Sequence, residues 1–226
     1  AAEAMTLESA PDAALMGADA YLDAVVNFDL ASEGAPQVRF EGPFEAEEGA
    51  EIVIDVRVED LEGDAVEHSW DLDDDGVFDE AMGALSHTIP AGSTDGPGTV
   101  RVGVEARDAM GNTARRYRAV RIDNVDPRVT STPPAVVSVG VDVGYAIEVE
   151  DPAGAMDAPT FTLIEGPSRM TVSDGGTVSW VPSESDVTLP GEPIEVAVTI
   201  DDGDEGVVEH RWSLQVSPNR PPSAPI

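Results

Sequence analysis

Apolar and polar residues alternate along much of this chain. From Glu51 to Glu59, Ile52, Ile54, Val56 and Val58 fall on one side, with charged residues between most of them. A period of two is the pattern of a strand buried on one face. It returns at Thr99–Ala106, where Val100, Val102, Val104 and Ala106 share a face, and again with Val120 and Ile122. Turn signals separate these runs at Glu62-Gly63-Asp64, Asp75-Gly76 and Met110-Gly111-Asn112. Beyond residue 127 the scheme begins afresh. Val137, Val139 and Val141 alternate, followed by Tyr145–Glu150, Thr160–Ile164, Thr177–Val181, Ile194–Ile200 and His210–Val216. Many short strands with turns between them predict an all-β protein of two-sheet sandwiches.

Proline-bearing junctions divide the pattern. They fall at Gly34-Ala35-Pro36, at Asn124-Val125-Asp126-Pro127 and at Ser217-Pro218-Asn219-Arg220-Pro221-Pro222. Each block between them is roughly 90 residues, a common size for a β-sandwich. The expected organisation is a leader over 1–35, sandwiches over 36–126 and 127–217, and a linker over 218–226 leading to a further module. In the leader, Leu15, Ala18, Leu22 and Val25 have helical spacing. A helical or partly ordered segment is expected there, with a strand over Tyr21–Phe28 as the alternative.

Composition narrows the function. The 226 residues carry 45 acidic and 12 basic side chains, a formal net charge of −33, and every basic residue is Arg. Binding nucleic acid requires basic neutralisation of phosphates, so that class is excluded. An anionic membrane surface is excluded on the same ground. No run of apolar residues is long enough to span a membrane as a helix. There is no cysteine, hence no disulfide. A sandwich without disulfides has use for another staple, and Ca²⁺ suits so acidic a chain.

The acidic residues are clustered. Ser69-Trp70-Asp71-Leu72-Asp73-Asp74-Asp75-Gly76-Val77-Phe78-Asp79-Glu80 sets six carboxylates within residues 71–80. Counted from Asp71, the residues at one, three, five and nine are Asp71, Asp73, Asp75 and Asp79. Gly76 stands at six, and Val77 at seven can offer its carbonyl. That is the ligand order of an EF-hand loop. Position twelve is Met82 rather than Glu, and the flanks are not helical, so this is no EF-hand. Glu80 or a carboxylate from another loop would have to complete the shell. The alternative is a solvated turn, because carboxylates ~4 Å apart repel by only about 1 kcal/mol in water. Asp123, Asn124 and Asp126 form a second candidate Ca²⁺ set, and Asp201, Asp202 and Asp204 a third. Ordinary polar linker and hairpin-turn readings stand beside these two. Asp108, Glu150, Asp151 and Asp157 are further carboxylates able to converge on these places.

The segment Trp70-Asp71-Leu72-Asp73-Asp74-Asp75-Gly76, with the later strand Val102–Ala106 running into Asp108 and Gly111, resembles a PKD domain over residues 36–126. It differs from that pattern in having Asp74 where Gly is common. Four features of the second block match another family. They are Tyr145–Glu150 into Asp151-Pro152-Ala153-Gly154, then Gly166-Pro167, Gly176-Thr177-Val178-Ser179-Trp180-Val181-Pro182, and Asp201-Asp202-Gly203. Together they resemble bacterial cadherin-like or putative-Ig domains of the dystroglycan type. The linker Ile122-Asp123-Asn124-Val125-Asp126-Pro127 is similar to a shortened cadherin calcium linker. The resemblances imply tandem immunoglobulin-like sandwiches, extracellular or on a cell surface, monomeric, and joined to adjacent modules of one longer chain.

Catalysis finds no motif. His68, His87 and His210 are far apart in sequence and flanked by no nucleophile signature. Trp70, Trp180 and Trp212 are expected in the cores. The function expected is therefore a non-catalytic spacer or adhesion segment, stiffened by Ca²⁺. The alternative is an accessory module of a secreted hydrolase, binding a surface protein or a polysaccharide. Aromatic residues are only 5% of the chain, which disfavours a sugar-binding platform.

Overall fold

The computed structural model describes residues 34–219. The helical leader and most of the terminal linker expected from the sequence lie outside the described residues. The fold is all-β, built as two tandem Ig-like β-sandwiches. Two compact units can be told apart. Among the described residues, one comprises 34–46, 50–91 and 98–122; the other takes 47–49, 92–97 and 123–219.

The first unit holds β1 (Gln37–Glu41), β2 (Glu45–Glu47), β3 (Ile52–Glu59), β4 (Val66–Asp71), β5 (Ser86–Ile89), β6 (Gly98–Asp108) and β7 (Thr113–Asp123). They form two sheets, in the orders β1-β3-β5 and β2-β7-β6-β4. The predicted alternation is the buried face. Ile52, Ile54 and Val56 from one sheet meet Trp70, Val102, Val104, Ala106, Val120 and Ile122 from the other. Burying such side chains stabilises by about 1.5–3 kcal/mol each before entropy is counted. Trp70 is fully buried, and its indole N–H donates to the Ala84 carbonyl at 2.8 Å. At the β6–β7 turn, both Asp108 oxygens accept from Asn112, one from its backbone and one from its side-chain amide. Burial pushes the Asp108 carboxyl up, but these bonds and others from the Met110 and Gly111 backbone outweigh it and hold it below the usual range.

The second unit carries β8 (Arg128–Val129), β9 (Val136–Ser138), β10 (Val143–Ala146), β11 (Val149–Glu150), β12 (Thr160–Glu165), β13 (Thr171–Val172), β14 (Thr177–Trp180), β15 (Ile194–Asp201) and β16 (Val207–Ser217). Its larger sheets run β12-β15-β16-β9 and β10-β14-β13, and β8 pairs with β11. Val196, Val198, Ile200, Leu214 and Val216 pack against Val143, Tyr145, Val178 and Trp180. Trp212 is half-buried and meets Tyr145 edge-on. One expected face does not form in full. Val137 is buried, but Val141 is exposed, because β9 ends at Ser138 and Gly140, at φ +77°, turns the chain.

Candidate metal centre

The deepest acidic cluster lies in the second unit and is assembled from three distant stretches. Glu48, Asp95 and Asp157 each place an oxygen within 4.8 Å of the others. Glu48 is 1% exposed and held from two directions. Its Oε2 accepts the Gly96 N–H at 3.0 Å and its Oε1 the Val125 N–H at 2.9 Å. The backbone around it is equally fixed, because the Glu48 N–H donates to the Asp123 carbonyl at 2.9 Å. Gly49, at φ +66°, is required beside it, since an added Cβ would lie 2.2 Å from the Pro152 carbonyl oxygen.

Asp157 is the unusual member. It is 2% exposed, and neither carboxylate oxygen has a hydrogen-bond donor. Its close neighbour is the Asp95 carboxylate; with both ionised neither has a proton to give, and a proton kept on Asp157 can bridge the two. Burial, then Asp95, then the charges of Glu48 and Asp151, push the Asp157 carboxyl up to about 7. Burial likewise raises Glu48, against the two backbone N–H groups that lower it, and Asp151 and Asp95 add to the rise. Elsewhere in this unit, Asp151 Oδ2 and Asn124 Oδ1 are also buried without a donor. Asp151 Oδ1 accepts the Ala153 N–H at 2.9 Å, and Asn124 Nδ2 donates to Asp202 Oδ2 at 3.1 Å.

Buried acceptors without donors are costly, and like charges in one place raise the cost. A hard divalent cation removes both problems. Ca²⁺ takes six to eight oxygens from carboxylates, amide carbonyls and backbone carbonyls. Glu48, Asp95 and Asp157 supply that type of donor, and Asp151 lies near enough for its charge to raise Glu48 and Asp157, so the residues fit the ion.

The structure treats the sequence candidates differently. Asp71, Asp73 and Asp75 come together, with oxygens within 4.8 Å of one another. Val77 and Asp79 are exposed, and Glu80 Oε2 turns back to accept the Leu72 N–H at 3.2 Å. In the linker, Asp123 lends its carbonyl to Glu48 and Asn124 its amide to Asp202, while Asp126 is exposed. In the β15–β16 turn, Asp202 Oδ1 accepts the Asp204 and Gly206 N–H groups and Asp201 Oδ1 the Gly203 N–H. Of the further carboxylates, Asp151 and Asp157 join Glu48; Asp108 holds its own hairpin, and Glu150 pairs with Arg128. Glu48 and Asp95 were not singled out from the sequence. Each is one acidic residue among many, and only folding brings them together.

No protein-family model matches the chain, and no curated protein matches it. Solved structures similar to it include titin domains Z1Z2 in complex with telethonin. That pair has 16% identity, covers 81% of this chain and 98% of the other, and has a TM-score of 0.41. Protocadherin gammaB7 EC3-6, solved as a cis-dimer, is 16% identical over 80% of this chain and 50% of its own, with a TM-score of 0.37. Extracellular domains 3–5 of Drosophila OTK show 16% identity over 80% of this chain and 62% of theirs, with a TM-score of 0.36.

Proposed function

We propose that this chain is a non-catalytic tandem Ig-like segment of an extracellular or surface protein, acting as a spacer or adhesion module and stiffened by Ca²⁺. One observation carries the proposal: the buried Asp157 carboxylate, without a donor, among Glu48, Asp95 and Asp151. An ion there would hold stretches around residues 48, 95 and 157 as one piece. Within the proposal, the first sandwich is PKD-like and the second cadherin-like, as their motifs suggest. The non-catalytic reading is supported by the kind of groups that converge, which are carboxylates with no Ser, Cys or His among them. The histidines have structural partners instead. His68 Nε2 meets the Ala84 carbonyl, His87 lies against Trp70, and His210 Nε2 meets the Tyr145 hydroxyl.

The test is thermal unfolding at fixed ionic strength in Ca²⁺, Mg²⁺ and chelator, on the wild type and Asp157→Asn. Ligand at 100 times Kd stabilises by about 2.7 kcal/mol. Wild type should gain that from Ca²⁺. Asn removes a repelled charge and brings an amide donor, so Asp157→Asn should be the more stable protein in chelator and the less stable in Ca²⁺. Equal destabilisation in both media would remove the metal reading. Scattering that does not change with Ca²⁺ would remove the stiffening alone.

A further inference from the structure

A second acidic cluster lies in the first unit and shares no residue with the one above. Strand β4 ends at Asp71, and Trp70 and Glu80 exchange backbone hydrogen bonds, closing residues 71–79 into a loop. The loop is shaped by its own carboxylates. Asp71 Oδ2 accepts the Gly76 N–H at 3.1 Å, Asp73 Oδ1 the Asp75 N–H at 3.3 Å, and Asp75 Oδ1 the Val77 N–H at 2.7 Å. Each carboxylate is thereby oriented through one oxygen and keeps another. Asp74 points elsewhere, to Arg101 at 2.7 Å.

These features alone describe a turn. Asp71 goes further. It is 0% exposed, and its Oδ1 is buried without any hydrogen-bond partner. A turn needs only the oxygen that holds Gly76. The other is removed from water in a side chain that has an oxygen within 4.8 Å of two more carboxylates, an arrangement unfavourable for a bare turn and suited to a cation. We propose that the loop of Asp71, Asp73 and Asp75 holds a hard divalent cation of the Ca²⁺ class, independent of the ion proposed at Glu48, Asp95 and Asp157. This inference does not rest on that earlier reading. Asp73 and Asp75 are exposed, so water fills part of the shell. An open site of this kind belongs to the weak class, with Kd about 10⁻⁴–10⁻³ M.

Calorimetric titration of the full chain with CaCl₂ tests the site. Two binding components are expected. Asp73→Ala with Asp75→Ala should remove the weaker and leave the other; Asp157→Asn should do the reverse. Both alanines replace exposed side chains, and the unfolding midpoint in chelator reports whether the loop has kept its fold. If it has not, Asp73→Asn with Asp75→Asn keeps oxygens for the backbone N–H groups and removes two charges. That variant should bind at this site about tenfold more weakly. Titration of either double variant indistinguishable from wild type overturns the inference, as does loss of all binding in Asp157→Asn. Retention of one component in Asp157→Asn that Asp73→Ala with Asp75→Ala abolishes upholds this site, whatever becomes of the other.

Discussion

The two acidic clusters solve opposite problems. Asp71, Asp73 and Asp75 are neighbours along the chain, and their loop is built by short-range bonds from carboxylate to backbone. Two of the three face water. Glu48, Asp95 and Asp157 are separated by many residues and meet only because the surrounding backbone is packed without slack. Water reaches Asp73 and Asp75 in the first cluster and Asp95 in the second, but two carboxylates are buried in the second against one in the first, so charge is costlier there. The density of acidic residues in a sequence is therefore a poor guide to electrostatic stress. The sparse cluster is the stressed one.

The difference in packing gives the largest expected effect. Gly49 has φ +66°, and a Cβ there would sit 2.2 Å from the Pro152 carbonyl oxygen. Backbone cannot yield as a flexible side chain does. Gly49→Ala is expected to cost about 3 kcal/mol or more, lowering the unfolding midpoint by roughly 10 °C. It should also abolish the component of calcium binding that depends on Asp157. A variant within ~3 °C of wild type would mean that the packing around Glu48 is looser than its contacts indicate.

A second effect comes from protons. Asp157 is raised to about 7 and Glu48 is raised also. The folded chain then binds more protons than the unfolded chain between the ordinary carboxylate range and about pH 7. Stability with a raised carboxyl is present at low pH and declines as pH rises through the folded-state value. In chelator, the midpoint should fall between pH 5 and pH 8 by roughly 5–10 °C. Asp157→Asn should flatten the fall, and saturating Ca²⁺ should oppose it, because the ion favours the ionised form. A midpoint that rises over this interval would contradict the assigned cause.

The same contrast explains what could be read from the chain. Sandwich strands were legible because a period of two survives translation into buried faces, as Ile52, Ile54 and Val56 show. The meeting of Asp71, Asp73 and Asp75 was legible because they are neighbours along one loop, whereas Asp79 and Glu80 do not join them. Val141 was misleading: alternation continues past Gly140, but a positive φ there turns the chain out of the strand. Glu48 and Asp95 were not legible because nothing in their neighbours marks them. What sets Glu48 apart is the pair of N–H groups from Gly96 and Val125, contributed by remote sequence. The clue available in advance was indirect, namely Gly49 following Glu48, a glycine that the fold needs for space as well as for conformation.

The smallest effect is the counterpart in the open loop. Gly76 has φ +84°, yet a Cβ added there meets nothing within 4 Å. Gly76→Ala therefore pays only the conformational penalty of a left-handed residue, about 1–2 kcal/mol. Asp74 already carries a related cost at φ 57°, which acidic side chains tolerate better than most. The expected midpoint loss is about 5 °C, about half that of Gly49→Ala. Because the Gly76 N–H is held by Asp71 Oδ2, the backbone has a reason to keep its conformation after substitution. Calcium affinity at the loop should therefore change by less than about threefold, within the few tenths of a kcal/mol expected of a side chain that faces solvent. If Gly76→Ala proved as damaging as Gly49→Ala, the loop would be as tightly packed as the backbone around Glu48, and the contrast between the two clusters would be lost.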